Sequence, residues 1–266
     1  MAKGNKIKLL DDMSTGDRVV LCLSELGGTA ILVFLGCMGC VTDITSAKAI
    51  PHEQISLTFG LAVMIAVQVF GHVSGSHINP IVTVTAATLG HIALIRVPIY
   101  FVGQLLGALL GFSLLKISTP AEYMGNQILN GTVKTPGVCS PGITVSPGQA
   151  FLVEFLATLI LALVCGGVWD HRNSNKHDSV PIRFGLTIAV LAMAAGPYTG
   201  AHMNPVRSFA PALFNGDWDH HWLYWLAPLS AGFFGGLLYR FIFSTEPPKK
   251  IEEAVESIPL NDHAKA

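Results

Sequence analysis

One stretch of this chain occurs twice. Ser74-Gly75-Ser76-His77-Ile78-Asn79-Pro80-Ile81 is matched by Thr199-Gly200-Ala201-His202-Met203-Asn204-Pro205-Val206, at an offset of 204 − 79 = 125 residues. Gly107 and Gly232 keep that offset, 232 − 107 = 125, whereas Glu25 with Thr29 and Glu154 with Thr158 pair at 154 − 25 = 129, so one half carries an insertion or deletion. Around these motifs run apolar segments at 19–41, 55–70, 97–115, 150–168, 184–196 and 222–243. The longest match the roughly 20 residues an α-helix needs to cross a bilayer; the 184–196 run needs its flanks to do so. Three spans fall in each half, and an odd number inverts the second copy relative to the first. The expected result is an inverted-topology repeat about a pseudo-two-fold axis in the membrane plane. Chance similarity of apolar helices does not account for two polar Asn-Pro pairs inside an eight-position match.

Composition agrees with a chain solvated by lipid. Of its 266 residues 51% are hydrophobic and 12% charged, against about 25% charged in soluble domains; mean hydropathy is +0.53. The expected architecture is an all-α membrane protein with six transmembrane helices plus two half-helices. It divides into an N-terminal segment, 1–18, a membrane domain, 19–243 (repeats about 19–117 and about 148–243), and a C-terminal tail, 244–266. The polar start lacks the continuous apolar core of a signal peptide, which puts the N-terminus in the cytosol. With six spans, Lys48, Lys116 and Lys134 fall in outer loops, Arg207 in neither group, and the other twelve of the 16 Lys and Arg on the inner side. That asymmetry places both termini in the cytosol. The Asn130-Gly131-Thr132 sequon then faces outward as a possible glycosylation site. Of the cysteines, Cys22, Cys37, Cys40 and Cys165 lie in apolar runs and Cys139 does not; Cys37 and Cys40 have CxxC spacing, but no second pair or His cluster completes a metal site. No metal or cofactor is expected, and the net charge of −1 argues against a nucleic-acid partner.

The Asn-Pro pairs read as helix starts, Asn as the cap and Pro as the first helical residue. The apolar runs that follow, Ile81–Leu89 and Val206–Phe214, are too short to span. The preceding stretches, Gly71–Ile78 and Tyr198–Met203, cannot face lipid with unsatisfied backbone groups and must be buried or line a water-filled path. Inversion brings the half-helices in from opposite sides, so that Asn79 and Asn204 meet near the midplane with the positive ends of both helix dipoles. Cations are repelled there, while a neutral oxygen can accept the Asn amide hydrogens. Carbonyls of Gly75, Ser76, His77 and Ile78, and of Gly200, Ala201, His202 and Met203, would supply a ladder of acceptors.

These paired motifs, Ser76 to Val82 and Gly200 to Ser208, resemble the signature of aquaporins, and the resemblance covers about residues 18–243, including Glu25, Gly71-His72, Gln104 and Glu154. The usual Asn-Pro-Ala stands here as Asn-Pro-Ile81 and Asn-Pro-Val206. The resemblance implies a pore in each subunit of a homotetramer, in the plasma membrane. It implies that Glu25 and Glu154 brace the pore loops by accepting backbone N–H bonds; a proton relay and simple interfacial placement are the rivals. It implies that Arg207 stands at the outer selectivity filter. His72 and His77 are candidates for the cytosolic half of the pore, with His77 equally a packing residue.

Matched to the family's filter, Phe59, Ala192, Ala201 and Arg207 take the four positions. Water-selective members usually carry His where Ala192 stands. A methyl there removes a donor and opens space, so the filter should admit a three-carbon polyol beside water. Ser208, Ala212, Tyr224 and Trp225 look like the water-channel branch, and the combination is similar to insect entomoglyceroporins. The expected function is a passive channel for water and small uncharged solutes, glycerol among them, closed to ions and protons. A strictly water-selective channel and a structural membrane-junction protein on the same fold are the alternatives. No nucleophile–base pair or phosphate loop suggests an enzyme. With Ala201 at the position that often holds a reactive Cys, mercurial block would implicate Cys37 or Cys40.

Overall fold

Four of the longer helices and half-helices start on a side chain that caps them: Ser14, Asn79, Ser146 and Asn204. In the computed structural model, which describes residues 6–46, 48–124, 127–129, 132–134, 136–138 and 140–245, Ser14 caps α1 (Thr15–Met38), its Oγ accepting Asp17 N–H at 3.1 Å. The sequon at Asn130, Cys139 and the tail from 246 onward lie outside the described residues. After α1 come α2 (His52–Ser74), the short α3 (Pro80–Leu89), α4 (Val97–Ser118) and a single turn, α5 (Ala121–Met124). A two-stranded antiparallel ribbon, β1 (Gln127–Leu129) with β2 (Thr132–Lys134), interrupts the helices; nothing in the hydrophobic pattern announced it. The second half supplies α6 (Pro147–Trp169), α7 (Val180–Thr199), the short α8 (Pro205–Asn215) and α9 (Leu223–Leu238), which continues as a π-helical turn to Phe243. Ser146 and Gln149 form a capping box ahead of Pro147. Six of these helices are long and apolar enough to cross a membrane.

Three boundaries differ from the sequence reading. α1 starts at Thr15, inside the segment assigned to the N-terminus, because Ser14 supplies a cap that hydropathy does not register. α7 extends the short 184–196 run to Val180–Thr199. Residues 71–74 and 198–199 are helical rather than part of the irregular stretches, because the left-handed glycines that end α2 and α7 are Gly75 (φ 83°) and Gly200 (φ 86°).

The two halves interlock. α1 packs on α4 and α6 on α9, while α2 and α7 pack on each other across the repeat axis. α3 lies against α9, and α8 against α4, so each short helix leans on the last span of the other half. α4 shows how the sequence specifies this. Gly103, Gly107 and Gly111 are buried against α1, and a Cβ on Gly107 would lie 2.3 Å from the Leu26 carbonyl oxygen. One residue earlier in each repeat of four, Val102, Leu106, Leu110 and Leu114 stand exposed. Close packing on small residues with large apolar side chains turned outward suits a solvent of acyl chains.

Candidate functional site

The chain between α2 and α3, and its counterpart between α7 and α8, adopts an unusual backbone twice over. Gly75, Ser76 and Ile78 have φ of 83°, 46° and 47°; Gly200, Ala201 and Met203 have 86°, 48° and 50°. Left-handed φ is costly for residues with a side chain, most of all for β-branched Ile78, so something must hold these loops. Two buried carboxylates make the bonds. Glu25 accepts His77 N–H at 2.9 Å, Ile78 N–H at 2.7 Å, the Ser74 hydroxyl at 2.6 Å and Gln104 Nε2 at 2.9 Å. Glu154 accepts His202 N–H and Met203 N–H, both at 2.9 Å, and the Thr199 hydroxyl at 2.6 Å. The left-handed backbone turns successive N–H groups towards one carboxylate, which satisfies donors otherwise orphaned away from water.

The loops meet through the two asparagines. Asn79 Oδ1 accepts Ile81 N–H at 3.0 Å, and Asn79 Nδ2 donates to the Met203 carbonyl at 2.8 Å. Asn204 Oδ1 accepts Arg207 N–H at 3.4 Å, and its Nδ2 donates to the Ile78 carbonyl at 2.9 Å. Each half therefore latches the other, and the starts of α3 and α8 face one another. An amide group has two hydrogens; the cross-latch takes one from each Asn. The latch also takes one of the two acceptor positions on each of the Ile78 and Met203 carbonyls, and both residues border the cavity described next.

A cavity of about 700 Å³ runs through this junction. Its walls include Asn79, Asn204, Gly75, Ser76, His77, Gly200, Ala201 and His202, together with Phe59, Ala192 and Arg207. Arg207 is 4% exposed, its guanidinium carbon lies 4.7 Å from the centre of the Phe59 ring, and Nη1 donates to the Gly137 carbonyl at 2.6 Å. The four matched filter residues thus border one space. His77 combines both of its sequence readings: it borders the cavity, stacks on Tyr100 with ring centres 4.3 Å apart, and holds Nδ1 3.2 Å from the Thr83 hydroxyl. His72, by contrast, is exposed on the last turn of α2 and is not among the residues that wall this cavity. Cys40 borders the cavity while Cys37 is buried in the core. Among the described residues no three His, Cys, Asp or Glu side chains converge as a metal site.

The sequence reading missed Tyr100 and Thr83 as supporting residues and took Tyr224 and Ser208 only as marks of the water-channel branch. Tyr100 donates to the Ser74 carbonyl at 2.6 Å, and Tyr224 to the Thr199 carbonyl at 2.8 Å while stacking on His202 at 4.1 Å. Thr83 and Ser208 both meet the histidine of their own half. Their signal was present: 199 − 74 and 208 − 83 both equal the 125 of the asparagines, and 224 − 100 = 124. Gln104 has no polar counterpart, since Leu229 stands at that offset.

Comparison with known proteins adds an independent line. Residues 13–239 match the model of the family described as Major intrinsic protein. Human aquaporin-2 is 35% identical over 228 residues, covering 85% of this chain and 79% of its own. Lens fiber major intrinsic protein of Lithobates pipiens is 40% identical over 219 residues, 82% and 79% of the two chains. Among solved structures, the aquaglyceroporin from Plasmodium falciparum superposes with a TM-score of 0.74 at 25% identity, covering 85% of this chain and 96% of that one.

Proposed function

The chain belongs to the major intrinsic protein family, a family of membrane channels rather than enzymes, and we propose that it conducts water and glycerol passively while excluding ions and protons. The observation that carries the glycerol reading is Ala192 at the level of Phe59 and Arg207. There the cavity is bordered by a methyl and an aromatic face on which a carbon backbone can lie, while the buried guanidinium donates to hydroxyls. Ion exclusion rests on Arg207 and on the two opposed helix N-termini, whose positive ends repel cations without penalising a neutral oxygen. The free hydrogen on each of Asn79 and Asn204 would hold a permeating oxygen between the halves. In this reading both termini are cytosolic, the Arg207 mouth faces outward, the protein sits in the plasma membrane, and four subunits assemble with one pore each.

The test is stopped-flow light scattering of proteoliposomes bearing wild type or Ala192→His. Wild type should pass water and glycerol; the variant should lose glycerol selectively, its imidazole filling the space beside Phe59. Wild type that passes water and no glycerol would establish the second reading, a strictly water-selective channel. That reading is favoured by the pairing of Tyr224 with His202 and of Ser208 with His202, a support shell like that of the water-channel branch.

A further inference from the structure

Pro197 removes one rung from the hydrogen-bond ladder of α7. Its ring nitrogen has no hydrogen, so the Met193 carbonyl, four residues earlier, has no helical donor. An imidazole from another helix lies there instead. His52, the first residue of α2, holds Nε2 3.1 Å from the Ala192 carbonyl and 3.3 Å from that of Met193. Carbonyls only accept, so Nε2 carries the hydrogen, and Nδ1 is left as an acceptor. The ring lies so close to Gly196 that a Cβ there would be 2.2 Å from Cε1; no other residue type leaves room for it. His52 is half-buried and borders the cavity beside Phe59, Ala192 and Gly196. Among the described residues Nδ1 has no hydrogen-bond partner, and it is not one of the sealed, unpartnered polar atoms. It therefore keeps accessible surface on a residue that borders the cavity.

A polyol brings donors as well as acceptors to this level of the pore. Arg207 can only donate, and the side chains of Phe59, Ala192 and Ala201 offer no acceptor; besides the backbone carbonyls of Gly200 and Ala201, the side-chain acceptors bordering the cavity here are His52 Nδ1 and the Ser56 hydroxyl, which lies 3.4 Å from His52 Nε2. We propose that His52 is a solute-binding residue at the outer mouth, where Nδ1 accepts a hydrogen bond from one hydroxyl of the polyol while Arg207 donates to another. The imidazole that Ala192 lacks is thus supplied from α2, fixed in one tautomer by the gap that Pro197 opens and seated by Gly196. This rests on the glycerol reading above.

The experiment compares the glycerol-to-water permeability ratio of wild type, His52→Phe and His52→Gln in proteoliposomes. Phenylalanine keeps the ring without either nitrogen; glutamine keeps one donor and one acceptor. The ratio should fall about fivefold in His52→Phe, as expected for one neutral hydrogen bond, and recover by at least half in His52→Gln. An unchanged ratio in His52→Phe, or a ratio in His52→Gln no better than in His52→Phe, overturns the proposal. Capping is separated from binding by repeating His52→Phe in a Pro197→Ala background, where the Met193 carbonyl regains a helical donor. The ratio must fall there too, and a fall that Pro197→Ala abolishes means that His52 only caps. Wild type without glycerol flux is a different failure, one that removes the substrate itself.

Discussion

At the scale of single residues, the pore depends on groups that are buried yet left with one unfilled hydrogen-bonding position. Asn79 and Asn204 each commit an acceptor to the start of a half-helix and one hydrogen to the opposite loop. Replacing Asn204 by Asp removes both hydrogens and places a carboxylate against the Ile78 carbonyl. Water permeability is expected to drop, measured per folded channel in proteoliposomes, and a variant that matches wild type would mean that the permeant does not use this group. Thiol reactivity separates two cysteines of nearly adjacent position. Cys40 borders the cavity and Cys37 is sealed in the core, so mercurials should block flux through Cys40. The block should disappear in Cys40→Ser and persist in Cys37→Ser; the reverse pattern would show that Cys37, on the last turn of α1, and not Cys40 just past its end, meets the permeation path.

The elements are held by two kinds of contact that lipid makes decisive. One is the carboxylate under each loop. Glu154→Ala leaves two loop N–H groups and the Thr199 hydroxyl without acceptors, each orphaned group costing about 1–3 kcal/mol. The expected outcome is a large loss of thermal stability in detergent together with lost flux, with Glu154→Gln intermediate because one acceptor oxygen remains. The other is the close approach of helices at small residues. Gly107→Val drives a side chain into the Leu26 carbonyl at the α1–α4 contact, and overpacking of that kind costs about 1–3 kcal/mol or more. A melting temperature equal to wild type would mean that α1 and α4 are further apart than they stand here.

For the whole molecule, the interlocking of halves makes the fold resistant to being taken apart in pieces, and a clasp between the ends of α6 and α9 adds to it. Asp170, just past α6, accepts Arg172 Nε and Nη2, both at 2.7 Å, and the Tyr239 hydroxyl at 3.0 Å; Arg172 also donates to the Phe243 carbonyl at 2.7 Å. The guanidinium holds the Asp170 carboxyl well below the usual carboxylate range. A folded value depressed in this way contributes stability that is fully present above the unfolded value, 3.8, and is lost as pH falls through the folded one. Asp170→Asn should therefore lower stability by a constant, modest amount from pH 5 to 8, because Arg172 is half in solvent and the attraction is screened. The gap should close only in strong acid, as read from thermal melts across pH. The proposed tetramer predicts a particle of four times 28.3 kDa after detergent correction in light scattering, whereas a monomer at working concentrations would remove it.

The sequence by itself determined the number of spans, the inversion of the halves and the pairing of Asn79 with Asn204, because each follows from period, length and repetition along one chain. A polar motif cannot recur in an apolar chain without a buried place for it, and three spans per half admit one relation between the copies. What only the tertiary structure decided is where side chains from different helices converge. No spacing along the chain says that His52 lies against Gly196, that Gly137 takes a hydrogen from Arg207, or that His77 is buried in the cavity wall while His72 is exposed. Those outcomes depend on the depth at which helices cross and on the last few residues of α2. Both are fixed by close packing at small residues and by left-handed glycine caps, whose spacing is visible along the chain while the surface each one meets is not.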